Sequence, residues 1–322
     1  MKCLIAVVAI MLNAEVVLAQ SSSTSAKSSA PTSSPLEIQV RDLVADGARA
    51  YQDGNYDKAE QVFSQAAIEA EKLGPKSEYL GMSLNNLGEL YRMQNKLSQA
   101  KVSFQKAISA ITQAKGPEST DLAAAIDGLG ASYWAERNYK EAEPLFKRSL
   151  VMYSKLKGES NLDVAHEMNN LAALYASTNR MDESEKFYKR SLAIVESKVG
   201  SNNPALTSPL NNLGSLYFKQ RKYDLALPFY ERSLAIEEAS LGPNHPDVAK
   251  ACNNIASVYM QQGNFLGAES LFKRSIEIAS KTFAPGHPFL NDTLRNYAML
   301  LRRSNRSVEA KQIEARIEPT TH

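Results

Sequence analysis

Few residues in this chain carry chemistry by type alone, and their spacing decides what each can do. Four histidines are the first candidates, as imidazole ligands for a metal ion. His245 and His287 occupy matching GPNHP and PGHP segments 42 residues apart, but the same register holds Asn203 and Asn161, and no cysteine, histidine and carboxylate pattern at ligand spacing surrounds them. No metal is expected there. Cys252 could serve as a nucleophile, yet it stands where other stretches carry Leu, Ile or Met, the place of a buried apolar thiol. The chain has no glycine-rich phosphate loop, nucleophile elbow or paired catalytic carboxylates, so neither catalysis nor a cofactor is expected.

A basic ladder, Lys106, Arg148, Arg190, Arg232 and Arg274, lies inside FQKAI, FKRSL, YKRSL, YERSL and FKRSI and could follow a phosphate backbone. Glu143, Glu185 and Glu269, however, precede Lys147, Lys189 and Lys273 by four residues, a helix-surface pairing worth about 0.2–0.5 kcal/mol each. The ladder therefore reads as a solvated outer face. With a net charge of only +2, nothing else calls for nucleic acid.

What remains is a row of primary amides. LNNLGELY at 84–91 returns as LNNLGSLY at 210–217, setting two adjacent Asn inside an apolar helical pattern, where Asn is normally a poor choice. Aligned on the small residue of this motif, the chain gives Gly88, Gly130, Ala172, Gly214, Ala256 and Ala298 at an unbroken 42-residue period, with Gly47 opening a seventh unit 41 residues earlier. Each unit reads as two amphipathic helices, the first striped by positions such as Leu84, Leu87, Gly88 and Tyr91, the second by Ala100, Phe104 and Ala107. Gly54, Asn95, Asn179, Gly263 and Asn305 mark the turn between them, because they tolerate left-handed backbone. A hairpin alone cannot cover its apolar stripe; stacking on the next one does, which predicts an all-α fold, an α-solenoid of stacked helical hairpins.

The small residues at the crossing, Tyr91, Tyr133, Tyr175, Tyr217 and Tyr259 one turn later, and Ala100, Ala142, Ala226, Ala268 and Ala310 opening the second helix resemble the tetratricopeptide repeat. The period and the linker LGPNHPDVA at 241–249 look like its kinesin-light-chain class. The resemblance covers seven units in residues 37–318, framed at about 40–80, 81–122, 123–164, 165–206, 207–248, 249–290 and 291–318, and implies a superhelix. Leu301 replaces the Tyr of the last unit, and Glu314 the aromatic of its second helix, as suits a polar closing helix with no further neighbour.

The resemblance also implies that first helices line a concave groove for a peptide of a partner protein. Asn85, Asp127, Asn169, Asn211 and Asn253 share one register on that helix, while Asn86, Asn170, Asn212 and Asn254 share the next. Amides can pair with any peptide main chain, or can bond a neighbouring repeat and simply join the stack; both readings stand at this point. Arg92, Trp134, Phe218 and Met260, a turn and a half on, and His166 and Lys250, one turn back, would supply specificity on the same face. Trp134 could instead pack on the adjacent hairpin.

Residues 1–19, MKCLIAVVAIMLNAEVVLA, have the form of a signal peptide cut after Ala19. Their clean apolar run is far shorter than the roughly 20 residues of a spanning helix. A secreted or periplasmic, monomeric chain without a membrane span is expected after cleavage, and Cys252 would then be left with no disulfide partner. Residues 20–36, rich in Ser, Thr and Pro, read as a flexible linker, and Ser34-Pro35-Leu36-Glu37 as a helix start. An alternative to the peptide scaffold is a structural component of the cell envelope, acting through its convex face or array ends. Asn291-Asp292-Thr293 and Asn305-Arg306-Ser307 match the glycosylation acceptor pattern, relevant in a eukaryotic host.

Overall fold

The computed structural model describes residues 34–317. The expected signal peptide, its cleavage point, nearly all of the Ser/Thr/Pro-rich linker and the closing EPTTH lie outside the described residues. Within them the chain is fourteen α-helices with no strand. In chain order they run α1 Pro35–Gln52 and α2 Tyr56–Glu71, α3 Glu78–Met93 and α4 Leu97–Lys115, α5 Thr120–Ala135 and α6 Tyr139–Lys157, then α7 Leu162–Ser177 and α8 Met181–Val199. After a 3₁₀ turn at Pro204–Leu206 come α9 Thr207–Lys219 with α10 Tyr223–Leu241, α11 Pro246–Gln262 with α12 Phe265–Thr282, and α13 Pro288–Arg303 with α14 Ser307–Glu314. Odd helices are the first members of the hairpins and even helices the second.

The local chemistry explains the boundaries. Ser34 caps α1 by accepting from the Glu37 N–H at 3.1 Å, with Pro35 in the first helical position. At the hairpin turns the backbone returns as a Schellman motif, for example Asn95 N–H to the Arg92 carbonyl and Lys96 N–H to the Tyr91 carbonyl, at 3.1 and 2.8 Å. The residue that must turn left-handed is Gly54, Asn95, Asn179, Gly263 or Asn305, as expected, but also Arg137 and Arg221, at φ 62° and 59°. Their register forces the conformation on a side chain that does not favour it.

His245 and His287 take the capping role of their Asn counterparts. Their Nδ1 atoms accept from the N–H of Asp247 and Phe289, each at 3.2 Å, as Oδ1 of Asn161 and Asn203 accept from Asp163 and Ala205 at 2.9 Å. That shared geometry explains why His and Asn alternate in one register.

Contacts divide the chain into two compact units at Leu174–Tyr175, near the end of α7. In the first, consecutive helices pack on one another, and the first helices α1, α3 and α5 also touch in succession. The aromatic of each second helix lies on the small residue of the first: a Cβ on Gly47 would fall 2.6 Å from the Phe63 ring, and one on Gly88 would fall 2.7 Å from that of Phe104. Phe104 then packs with Leu129 and Tyr133 of α5, so one ring joins two hairpins. Burying such a ring stabilises by about 2–3 kcal/mol. Each unit is thus a solenoid of stacked hairpins.

The second unit repeats the scheme. Phe272 packs with Ala256, Leu294, Tyr297 and Leu301, and Tyr297 Oη donates to Glu269 at 3.0 Å, taking over the contact that Tyr217 makes with Glu185 at 2.8 Å. Cys252 is buried against Val248, Ala249 and Ile278, and burial pushes its thiol up to about 11, the state of an inert packing group. The closing helix α14 is tied back by Glu314, which accepts from Arg302 at 2.7 Å, and its one buried residue is Ala310. Of the two glycosylation acceptors, Asn291 is buried, whereas Asn305 is exposed in a turn.

Candidate binding face of the first helices

The paired amides resolve into a ladder. Asn170 Nδ2 donates to Asp127 Oδ1 at 2.9 Å, and Asn296 Nδ2 donates to Asn253 Oδ1 at 3.2 Å. In both cases the second residue of a pair bonds the first residue of the preceding repeat, 43 positions earlier. The ladder breaks in two places: opposite Asn85, Gly128 has no amide to offer and Asn85 Oδ1 is buried without a partner, and Asn211 Oδ1 is likewise unpartnered although Asn254 holds the second register there. Gly128 is required because a Cβ there would sit 2.3 Å from the Phe104 ring. Asn211 instead turns its Nδ2 to Ser233 Oγ at 2.8 Å and to Glu237 Oε1 at 3.4 Å.

Exposure sorts the expected lining residues. Asn85 and Asn86 are 5% and 1% exposed, deep in the packing of α3. Asn212 is also buried, while Asn169, Asn170, Asn211, Asn253 and Asn254 are half-buried. Met260, expected on the lining face, is 3% exposed and packs in the core with Phe272 and Leu301. Phe218 lies edge-on to Tyr223 with ring centroids 5.5 Å apart, and Lys250 pairs with Asp247 at 2.7 Å. Arg92 pairs with Glu89 at 2.6 Å. Trp134 is 36% exposed, two helical turns beyond Asp127 on the same side of α5.

The KRSL segments prove to be joints. Ser149 Oγ donates to the Ala123 carbonyl and Ser275 Oγ to that of Ala249, at 3.0 and 2.7 Å, fastening second helix to first. Lys147, Lys189 and Lys273 pair with Glu143, Glu185 and Glu269 as the spacing predicts, at 2.6–2.8 Å. Arg232 reaches Glu196 and the Ser201 carbonyl, and Arg274 reaches Glu238 and the Pro243 carbonyl, so these members of the basic ladder clamp the linker of the preceding hairpin.

One cluster escaped the sequence reading. Asp127 of α5 and His166 and Glu167 of α7 bring a carboxylate oxygen, an imidazole nitrogen and a second carboxylate oxygen within 4.8 Å of one another. Burial, then the charge of Asp127, hold the Glu167 carboxyl well above the usual carboxylate range. The available signal was register: Glu167 aligns with Ser83, Ala125, Pro209, Ala251 and Thr293, small residues all.

A tetratricopeptide repeat profile matches residues 47–113, 120–197, 206–257 and 247–317. The chain belongs to the tetratricopeptide repeat family. Among solved structures it is similar to BtubC (BKLC) from P. vanneervenii, at 22% identity over 79% of this chain and 95% of that one, with a TM-score of 0.58. It is also similar to a putative kinesin light chain of Podosopora anserina with nearly identical repeats, at 18% identity over 62% and 94% of the two chains and a TM-score of 0.55. The apo quorum sensor NprR from B. thuringiensis is a third, at 16% identity over 86% and 75% and a TM-score of 0.61. At these identities the likeness shows the fold alone. Comparison with curated proteins finds no match. Tetratricopeptide repeats are protein-interaction scaffolds, and among the described residues no helix is long and apolar enough to cross a membrane.

Proposed function

We propose that this tetratricopeptide chain is an exported, non-catalytic and monomeric scaffold that holds an extended peptide of a partner protein on the face of its first helices. The observation that carries this reading is Trp134: a large aromatic left 36% exposed on a first helix, beside the Asp127 side of α5, in a repeat whose Phe146 and Tyr153 are buried. An exposed Trp is the residue type most enriched at binding hot spots. The half-buried amide of Asn169 lies in the Asp127 register of the next first helix, able to face a peptide main chain. Selection of binders from a random peptide library on the full chain tests this. Trp134→Ala is expected to weaken selected peptides tenfold or more with an unchanged unfolding midpoint; selected peptides that ignore the substitution contradict the reading. Export is tested separately, by sequencing the N-terminus from the native host, which should begin at Gln20; an intact Met1 in the cytoplasm contradicts it.

A second reading, assembly through the array end, is supported by one feature. Beside the short α14 lies an open depression of ≈ 440 Å³ bordered by Ile276, Tyr297 and Ile313 and by the charged Lys273, Glu277 and Arg316. Val308 on the same helix is exposed. Concentration-dependent association abolished by Val308→Lys is the expected sign of it.

A further inference from the structure

Glu167 is the residue of α7 that the repeat does not account for. Its register is otherwise filled by Ser83, Ala125, Pro209, Ala251 and Thr293, each small and each buried where first helix meets second. A carboxylate there is 1% exposed, and neither of its oxygens has a hydrogen-bond partner. Ser149 Oγ in the same joint donates to the Ala123 carbonyl at 3.0 Å. Burial there disfavours the ionised form unless a cation compensates it.

The basic residues of neighbouring registers are already paired. Arg92 is paired with Glu89, Lys157 with Asp163, and Lys115 with Asp121 and Glu78. What faces Glu167 is a second carboxylate, Asp127, and the His166 imidazole, with the three donor atoms inside 4.8 Å. His166 Nε2 lies 3.6 Å from Asp127 Oδ2. Asn170 Nδ2 fixes the carboxylate by donating to its other oxygen, Oδ1, at 2.9 Å, and stands 3.1 Å from His166 Nε2.

We propose that Asp127, His166 and Glu167 form a binding site for a divalent transition-metal ion of the zinc type. One imidazole nitrogen with two carboxylate oxygens suits such an ion better than magnesium or calcium, which take oxygen ligands. A tetrahedral ion with bonds of about 2.0–2.2 Å separates its ligands by roughly 3.4 Å. The His166–Asp127 separation already matches, and the rest closes by about an ångström. The side chains of His166 and Asp127, 32% and 18% exposed, give the ion an entry path and leave its fourth position to water. Coordination takes Nε2 away from the Asn170 amide, which keeps its bond to Asp127 as the outer-shell group that orients the ligand. The ion neutralises the carboxylate pair and ties α5 to α7, independently of any peptide.

The test needs no partner. The full chain, stripped with EDTA, is titrated with ZnCl₂ by calorimetry and by thermal unfolding, with MgCl₂ in parallel. One zinc per chain is expected, with a rise in unfolding midpoint that MgCl₂ does not give. His166→Ala, on a partly exposed residue, and Glu167→Gln, which keeps side-chain volume, should each weaken zinc at least tenfold. Absence of zinc binding overturns the proposal, as does zinc binding untouched by either substitution. A midpoint that ignores zinc yet falls as pH rises, with the fall removed by Glu167→Gln, also overturns it, because the two carboxyls then share a proton. Failure of zinc binding leaves peptide capture by Trp134 unaffected, so the two readings fail separately.

Discussion

Asn170 gives one hydrogen of its side-chain amide to Asp127, 2.9 Å away on the preceding first helix. The bond joins two repeats through the pair of positions that otherwise looks out of place in an apolar helix. The same geometry between Asn296 and Asn253, at 3.2 Å, shows it to be a rung of the fold rather than a local accident.

Removing a rung should therefore cost stability. Asn170→Ala is expected to destabilise by about 1–3 kcal/mol, since it withdraws a donor from a carboxylate. Asn85→Ala should cost less, because the oxygen of Asn85 already lacks a partner. For the neutral rung, a double-substitution cycle on Asn296 and Asn253 should give a coupling of about 1 kcal/mol in urea unfolding.

The turns carry removable strain. Arg137 and Arg221 hold left-handed backbone that other repeats assign to Gly or Asn. Arg137→Gly and Arg221→Gly should each raise stability by roughly 1 kcal/mol, less the entropy that glycine adds to the unfolded chain. A lowered unfolding midpoint would mean that the arginine side chains contribute more than their backbone costs.

Packing at the helix crossing has the opposite tolerance. In Gly88→Ala the new methyl meets the Phe104 ring at 2.7 Å, and that ring also packs on the next hairpin. A loss of about 1–3 kcal/mol is expected, and denaturant unfolding measures it.

Glu237 predicts a pH effect of definite sign. Burial, opposed by hydrogen bonds from Ser233 and Asn211, raises its carboxyl to about 7 from an ordinary 4.5. A folded pKa above the unfolded one favours the folded state fully below pH 4.5. The stability is lost as pH rises toward 7, and the loss is constant above that. Glu237→Gln should remove that fall, a difference of up to about 3 kcal/mol between pH 4.5 and pH 8 in urea melts. Parallel pH profiles for the two proteins would contradict it.

The period was legible because stacking repeats the same contact: a small residue under an aromatic, a Tyr reaching a Glu, an Ala opening the second helix. Stacked helical hairpins followed from it, and helices α1 and α5 start at the caps Ser34 and Ser119, ahead of the apolar stripe. Arg137 and Arg221 escaped a reading based on residue preference, since the turn geometry overrides preference there. The partners of the amides were illegible for another reason. Position along a helix tells which residues share a face, but which of two adjacent amides meets the neighbouring repeat depends on the rotation of one helix against the next. The Asp127, His166 and Glu167 cluster was lost in the same way, as Asp127 read as one more amide equivalent and Glu167 drew no notice in a register of small residues.

Trp134 is the chain's single tryptophan, and its emission reports on the proposed face directly. Titrating the full chain with a library-selected peptide, while calorimetry records binding, should give a saturating blue shift as the peptide covers the exposed ring, with the same midpoint by both methods. Calorimetric binding with no change in the tryptophan emission would place the peptide elsewhere and contradict the first-helix binding face.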